Sequence, residues 1–209
     1  EDAFVFCCFN NSYKITPVIF DAWMRLLHAI PGSLLWIREG YPAMNERFRR
    51  QAQNRGIEPS RLHFAGRMPS FARHLGRQPA AALFLDTWPY NAHATASDAL
   101  LAGLPVVTLR GESFVSRVSA SFLSNLGLEE LIASDVAQYE AIARALAQDR
   151  ARLAEVRQRL AAARRTAPLF DMSRFVRGIE AAYSEMQARA RRGKAPSPLK
   201  VALQGPLNI

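Results

Sequence analysis

Long apolar runs, spaced cysteines and glycine-rich phosphate signatures are all missing from this sequence. No stretch approaches the roughly 18 apolar residues of a membrane-spanning helix, and no signal-peptide pattern opens the chain, so a membrane is not an expected partner. The only cysteines are the neighbours Cys7 and Cys8. Adjacent residues on a strand point to opposite faces, so no disulfide is expected between them and a reducing, cytoplasmic setting is the simplest reading. Two buried apolar residues or a reactive thiol remain the alternatives for the pair. No GxGxxG follows the first apolar run and no Walker A loop occurs, which argues against ordinary dinucleotide and P-loop chemistry. His28, His63, His74 and His93 stand at no metal-ligand spacing and near no dense carboxylate cluster, so no metal cofactor is expected. Zinc-finger spacing and aromatic RNA-binding signatures are also lacking, and nucleic acid is not an expected partner.

What is present is an ordinary globular balance. The 209 residues are 49% hydrophobic and 22% charged, enough to bury a full core. The net charge of +9 gathers in Arg150 to Arg165 and Arg174 to Arg192. There the arginines fall among Ala, Leu and Glu at helical spacing, the pattern of a solvated helix face. The chain opens almost directly on a core strand, an abrupt start that suggests the later part of a longer protein.

Short apolar runs alternate with helical patterns. Ala3 to Phe9, Leu34 to Ile37, Arg61 to Ala65, Ala81 to Leu85 and Pro105 to Leu109 read as strands, with Leu131-Ile132 a short sixth. Thr16-Pro17 supplies an N-cap and a proline at the first helical position, and Pro31-Gly32 stops that helix. Further helices are expected over 45–55, 69–77, 97–102, 115–126, 136–148, 150–164 and 173–192. Residues 193–209, with three prolines, read as a flexible tail after a domain spanning 1–192. Strands apolar on both faces and alternating with helices predict an α/β fold, a Rossmann-like parallel sheet with helices on both faces. Ligands of such sheets bind beyond the carboxyl ends of the strands. Three polar loops fall there: 10–14, 67–74 and 87–95.

The third of these loops is the most informative. Leu83-Phe84-Leu85 ends at Asp86, and the chain then passes through a turn carrying His93 into a helix. Thr95 and Asp98 have nearly the spacing of a capping box, with Thr95 as the expected cap. A buried strand that feeds a helix N-terminus is a ready anion site, since unpaired N–H groups and the helix dipole aim at one spot. Lys14 is either a point charge for that anion or a solvated loop lysine. His93 is either a donor to a phosphate oxygen or a turn residue bonded to its own backbone. His74 and Arg77, one turn apart, either flank a planar base or form an exposed polar face.

Several separated motifs, in order, resemble the O-linked N-acetylglucosamine transferase family, which includes SPINDLY-type proteins. They are Phe9 to Pro17, Pro31 to Trp36, Leu85-Asp86-Thr87 with Asn91 to Asp98, Ala102 to Thr108, Ser116-Arg117-Val118 with Ser121, and Pro168-Leu169-Phe170. The resemblance runs from about residue 4 to about 187. It implies the C-terminal, nucleotide-sugar-binding lobe of a two-lobed GT-B glycosyltransferase. The reaction implied is metal-independent, inverting transfer of N-acetylglucosamine from UDP-N-acetylglucosamine to Ser or Thr hydroxyls of a protein acceptor. The other lobe and tetratricopeptide repeats would lie elsewhere in the protein. The family pattern puts Lys14 and His93 in catalysis at the diphosphate, with Ala94 and Thr95 binding the same phosphates. It puts Asp98 at the ribose, Asn11 near the phosphates or sugar, and His74 with Arg77 at the uracil. The sequence departs from the pattern at Ala94, where a threonine is usual. It also departs at Arg67 to Arg73, which is one residue longer and lacks a lysine used near the ribose. A GDP-fucose donor and a non-catalytic nucleotide-sugar-binding module are the alternatives.

Overall fold

The computed structural model describes residues 3–201. Its centre is a six-stranded sheet: β1 (Val5–Cys8), β2 (Leu34–Arg38), β3 (Leu62–Ala65), β4 (Leu83–Leu85), β5 (Val106–Leu109) and β6 (Ile132–Ala133). The strand order is β3-β2-β1-β4-β5-β6 and every pairing is parallel. This is the Rossmann-like sheet expected from the apolar runs. Its order reverses between β1 and β4, and a crevice opens beyond the strand ends at such a point.

The helices within this sheet region are α1 (Pro17–Ala29), α2 (Pro42–Gln53), α3 (Phe71–Arg77), α4 (Ala94–Leu101), α5 (Val118–Asn125) and α6 (Val136–Gln148). α1 packs on α6, while α3, α4 and α5 pack one against the next. Right-handed crossovers put these two groups on opposite faces of the sheet. The central strands are therefore covered twice, and Phe6, Cys7, Cys8, Leu83 and Phe84 are all within 1% of complete burial. Cys7 and Cys8 are free thiols, and burial raises the pKa of both. They are core residues here, not nucleophiles.

Charged side chains tie the layers together. Arg25 of α1 makes a bidentate pair with Glu140 of α6, Nη2 to Oε1 being 2.6 Å. Arg61 turns inward to donate to the carbonyls of Leu27, Ile30 and Ser33, closing the C-terminal end of α1. Gly32 follows that end at φ 75° and Gly103 follows α4 at φ 84°, left-handed positions that glycine takes without strain.

Two expected caps take another form. Thr16 does sit at the N-cap of α1 with Pro17 first in the helix, but its side chain does not cap. Its hydroxyl donates instead to the Trp88 carbonyl at 3.0 Å. The capping box of α4 is not formed. His93 is the N-cap residue, Thr95 lies inside the first turn, and Asp98 faces His74. Both threonine hydroxyls are drawn to distant loops, which satisfy them better than their own helix ends.

Residues up to Arg164 form one compact unit and those from Arg165 a second. α7 (Arg150–Thr166) buries Leu153, Val156 and Leu160, and its residues up to Arg164 belong to the first unit. In the second unit a 3-10 turn at Pro168–Phe170 precedes α8 (Met172–Arg191), capped by the Asp171 carboxylate accepting from the Arg174 amide at 2.8 Å. Residues 194–201 carry no regular structure, and 202–209 of the expected tail lie outside the described residues.

Candidate functional site

The loops after β1, β3 and β4 meet at the carboxyl edge of the sheet, as the reversal of strand order requires. They enclose a cavity of about 570 Å³. Lys14, Arg38, Arg67 and Arg77 line it against a single acidic residue, Glu39. That balance favours an anionic occupant.

The wall formed by residues 86–95 is built from Asp86, which is fully enclosed at the end of β4. One carboxylate oxygen accepts from the amides of Thr87 (2.7 Å) and Ala92 (2.6 Å), the other from the Thr108 hydroxyl (2.6 Å). These bonds pull the chain from 87 to 92 into a closed loop and deliver it to α4. Burial pushes the Asp86 carboxyl up to about 6, against the effect of those donors. Behind it, the Tyr139 hydroxyl donates to the Asp86 carbonyl at 2.9 Å and accepts from the Trp23 indole at 3.0 Å. Asn91 is buried and donates to the carbonyls of Thr87 and Leu109. Ser119 of α5 donates to the Ala92 carbonyl at 2.8 Å.

Asn10 links this wall to the loop after β1. Its amide donates to the Thr87 hydroxyl at 2.7 Å, and that hydroxyl donates to the Tyr90 carbonyl at 2.7 Å. The Asn10 carbonyl oxygen accepts a short bond from the Thr95 hydroxyl. Asn10 and Asp86 thus hold the site together, although neither is among the eight residues given a site role from the sequence. Their partners are remote in the chain, and only the position of Asp86 at the end of an apolar run hints at a role.

Lys14 is the last residue of a 3-10 turn at Ser12–Lys14. Its ammonium donates to the Asn91 carbonyl at 2.9 Å and lies 3.7 Å from the centroid of the Tyr90 ring. Burial lowers its pKa, opposed by the Asp86 charge. His93 stands between the rings of Tyr90 and Phe114, and its Nε2 is buried with no hydrogen-bond partner. The amides of Ala94 and Thr95, first in α4, point out of the helix end without intrahelical acceptors. A buried, unpartnered imidazole nitrogen beside free amides and a lysine is an arrangement that an anion would complete.

The opposite wall comes from α3. The Arg77 guanidinium lies 4.3 Å from the Phe9 ring centroid and donates to the Gly66 carbonyl at 2.8 Å. Burial lowers its pKa. His74 Nε2 is 3.4 Å from Asp98 Oδ2 and 3.3 Å from Gln78 Nε2. Burial lowers the His74 pKa and raises that of Asp98, in each case against the attraction of the other. Desolvation therefore outweighs the pairing on both sides.

Of the eight residues singled out in the sequence, Asn11, Lys14, His74, Arg77, His93, Ala94 and Thr95 line the cavity. Asp98 is not among the lining residues and stands behind His74. Among the described residues no group of three His, Cys, Asp or Glu side chains is placed to hold a metal ion.

Residues 1–179 match glycosyl transferase family 41. The chain belongs to that family. It is 36% identical over 203 residues to the Arabidopsis thaliana protein named "Probable UDP-N-acetylglucosamine--peptide N-acetylglucosaminyltransferase SEC", covering 96% of this chain and 21% of that protein. It is also 36% identical over 193 residues to the Caenorhabditis elegans UDP-N-acetylglucosamine--peptide N-acetylglucosaminyltransferase, covering 92% of this chain and 17% of that one. The structure of a mutant O-GlcNAc transferase from Thermobaculum terrenum superposes with a TM-score of 0.86 at 31% identity, over 92% of this chain and 38% of that one. The family 41 chain thus spans about a fifth of the length of these two curated relatives. The family and the Rossmann-like lobe anticipated from its motifs are both those found.

Proposed function

We propose that this family 41 chain is the donor-binding lobe of a protein O-N-acetylglucosaminyltransferase that takes UDP-N-acetylglucosamine. The observation that carries the reading is the meeting of the Lys14 ammonium, the unpartnered Nε2 of His93 and the free amides of α4 on one wall of a cationic cavity. The donor and the class of acceptor are those in the names of the two relatives.

In this reading the diphosphate lies across the start of α4. An acceptor Ser or Thr hydroxyl oxygen attacks the anomeric carbon and gives up its proton to solvent, the bond to the β-phosphate oxygen breaks with its electron pair going to UDP, and the anomeric configuration inverts. The negative charge left on UDP is met by Lys14, the Ala94 and Thr95 amides and the His93 imidazole, without a metal ion. The Ala94 amide serves although its side chain has no hydroxyl. Asn11 lies beside the phosphates or the sugar, His74 and Arg77 flank the uracil, and Asp98 reaches the ribose by parting from His74. The second lobe and tetratricopeptide repeats that present the acceptor are supplied by the rest of the protein. A reducing, cytoplasmic setting suits the free thiols of Cys7 and Cys8. No helix among the described residues is long and apolar enough to cross a membrane.

A transfer assay on the full-length protein with UDP-N-acetylglucosamine, GDP-fucose and an acceptor peptide tests the reading. Sugar transfer from the UDP donor is expected. Transfer from the GDP donor alone, or UDP binding without transfer, contradicts it.

A further inference from the structure

Tyr90 lies outside the set of residues assigned to the donor, yet it touches the two that matter most. The Lys14 ammonium sits 3.7 Å from its ring centroid, and the His93 ring centroid is 5.2 Å away. Consecutive residues grip the lysine from two sides, the ring of Tyr90 and the carbonyl of Asn91 at 2.9 Å. A free lysine stem samples many rotamers, so an ammonium caught between a ring face and a carbonyl has lost that freedom before a ligand arrives. It still has N–H to offer, because the carbonyl takes one of its three donors. The gripping backbone is itself fixed. The Tyr90 carbonyl accepts from Thr87, and the Asn91 amide donates to the Val115 carbonyl at 2.9 Å.

We propose that Tyr90 is a positioning residue that presets the Lys14 ammonium beside the first turn of α4, so that a nucleoside diphosphate meets a cation already in place. The inference rests on the diphosphate reading of this site. It assigns Tyr90 an effect on affinity that passes entirely through Lys14.

The test is calorimetric titration of the full-length protein with UDP, using Tyr90→Leu, Tyr90→Phe, Lys14→Ala and the Tyr90→Leu/Lys14→Ala double variant. Tyr90 is 37% exposed, so leucine there leaves the core untouched. Tyr90→Leu is expected to weaken UDP binding about 3- to 30-fold. Tyr90→Phe, which keeps the ring face, restores affinity to within about two-fold. In the Lys14→Ala background Tyr90→Leu costs nothing further. An equal loss from Tyr90→Leu in both backgrounds overturns the proposal, and so does a silent Tyr90→Leu where Lys14→Ala weakens binding. If Lys14→Ala itself leaves UDP binding unchanged, the diphosphate reading falls and the positioning role falls with it.

Discussion

The Thr95 hydroxyl donates to the carboxamide oxygen of Asn10, 85 positions earlier in the chain. This bond ties the first turn of α4 to the exit of β1, so the two elements that flank the anion wall cannot drift apart independently. It also explains why Thr95 does not cap its own helix. Its hydroxyl is committed to a buried partner that has no other donor of equal reach.

Replacing Thr95 by valine keeps the shape and removes the donor. The Asn10 oxygen, in a residue only 2% exposed, is then left unpaired, at a cost of about 1–3 kcal/mol of stability. Urea unfolding of Thr95→Val against the parent reads this directly, and Thr95→Ser is expected to recover most of the loss.

Asp86 gives the protein a pH dependence of unusual sign for a carboxylate. Its folded pKa, about 6, lies above the ordinary value of 3.8. The folded protein therefore binds more protons than the unfolded chain between those values, and stability is lost as pH rises through that window. The ionised group costs roughly 3 kcal/mol by pH 7. Asp86→Asn keeps an acceptor for the Thr87 and Ala92 amides and abolishes the titration. The stability of Asp86→Asn relative to the parent should improve by about that amount between pH 4 and pH 7. A difference that stays constant across this range contradicts the assignment.

Tyr139 carries the support behind Asp86. Tyr139→Phe leaves the Trp23 indole and the Asp86 carbonyl without their shared partner in a fully buried setting. A loss of about 1–3 kcal/mol is expected, or roughly 2–12 °C in Tm for a chain of this size. Thermal unfolding followed by circular dichroism measures it.

Much of this architecture was legible because it depends on local pattern. Runs such as Phe6-Cys7-Cys8 and Leu83-Phe84-Leu85 are apolar on both faces only because helices cover both sides of the sheet. Pro17, Gly32 and Gly103 mark helix ends through their own backbone preferences. The convergence of Lys14, His74 and His93 followed from placing three polar loops at one edge. Hydrogen bonds between distant residues were not legible. Nothing near Thr16 announces the Trp88 carbonyl, and nothing near Asp98 announces His74, so caps inferred from spacing gave way to tertiary partners. Asn10 and Asp86 fall within the sequence motifs, but their organising role is not legible there for the same reason, because the groups they organise lie far along the chain.

Whether Lys14 meets the diphosphate of a uridine nucleotide can be read from a single calorimetric comparison. The full-length protein and its Lys14→Ala variant are titrated with UDP and with GDP. UDP is expected to bind more tightly than GDP, and Lys14→Ala to weaken UDP at least ten-fold, as fits a charge-assisted contact worth about 1.5–3 kcal/mol. Equal UDP affinity in the two proteins, or preference for GDP, would contradict it.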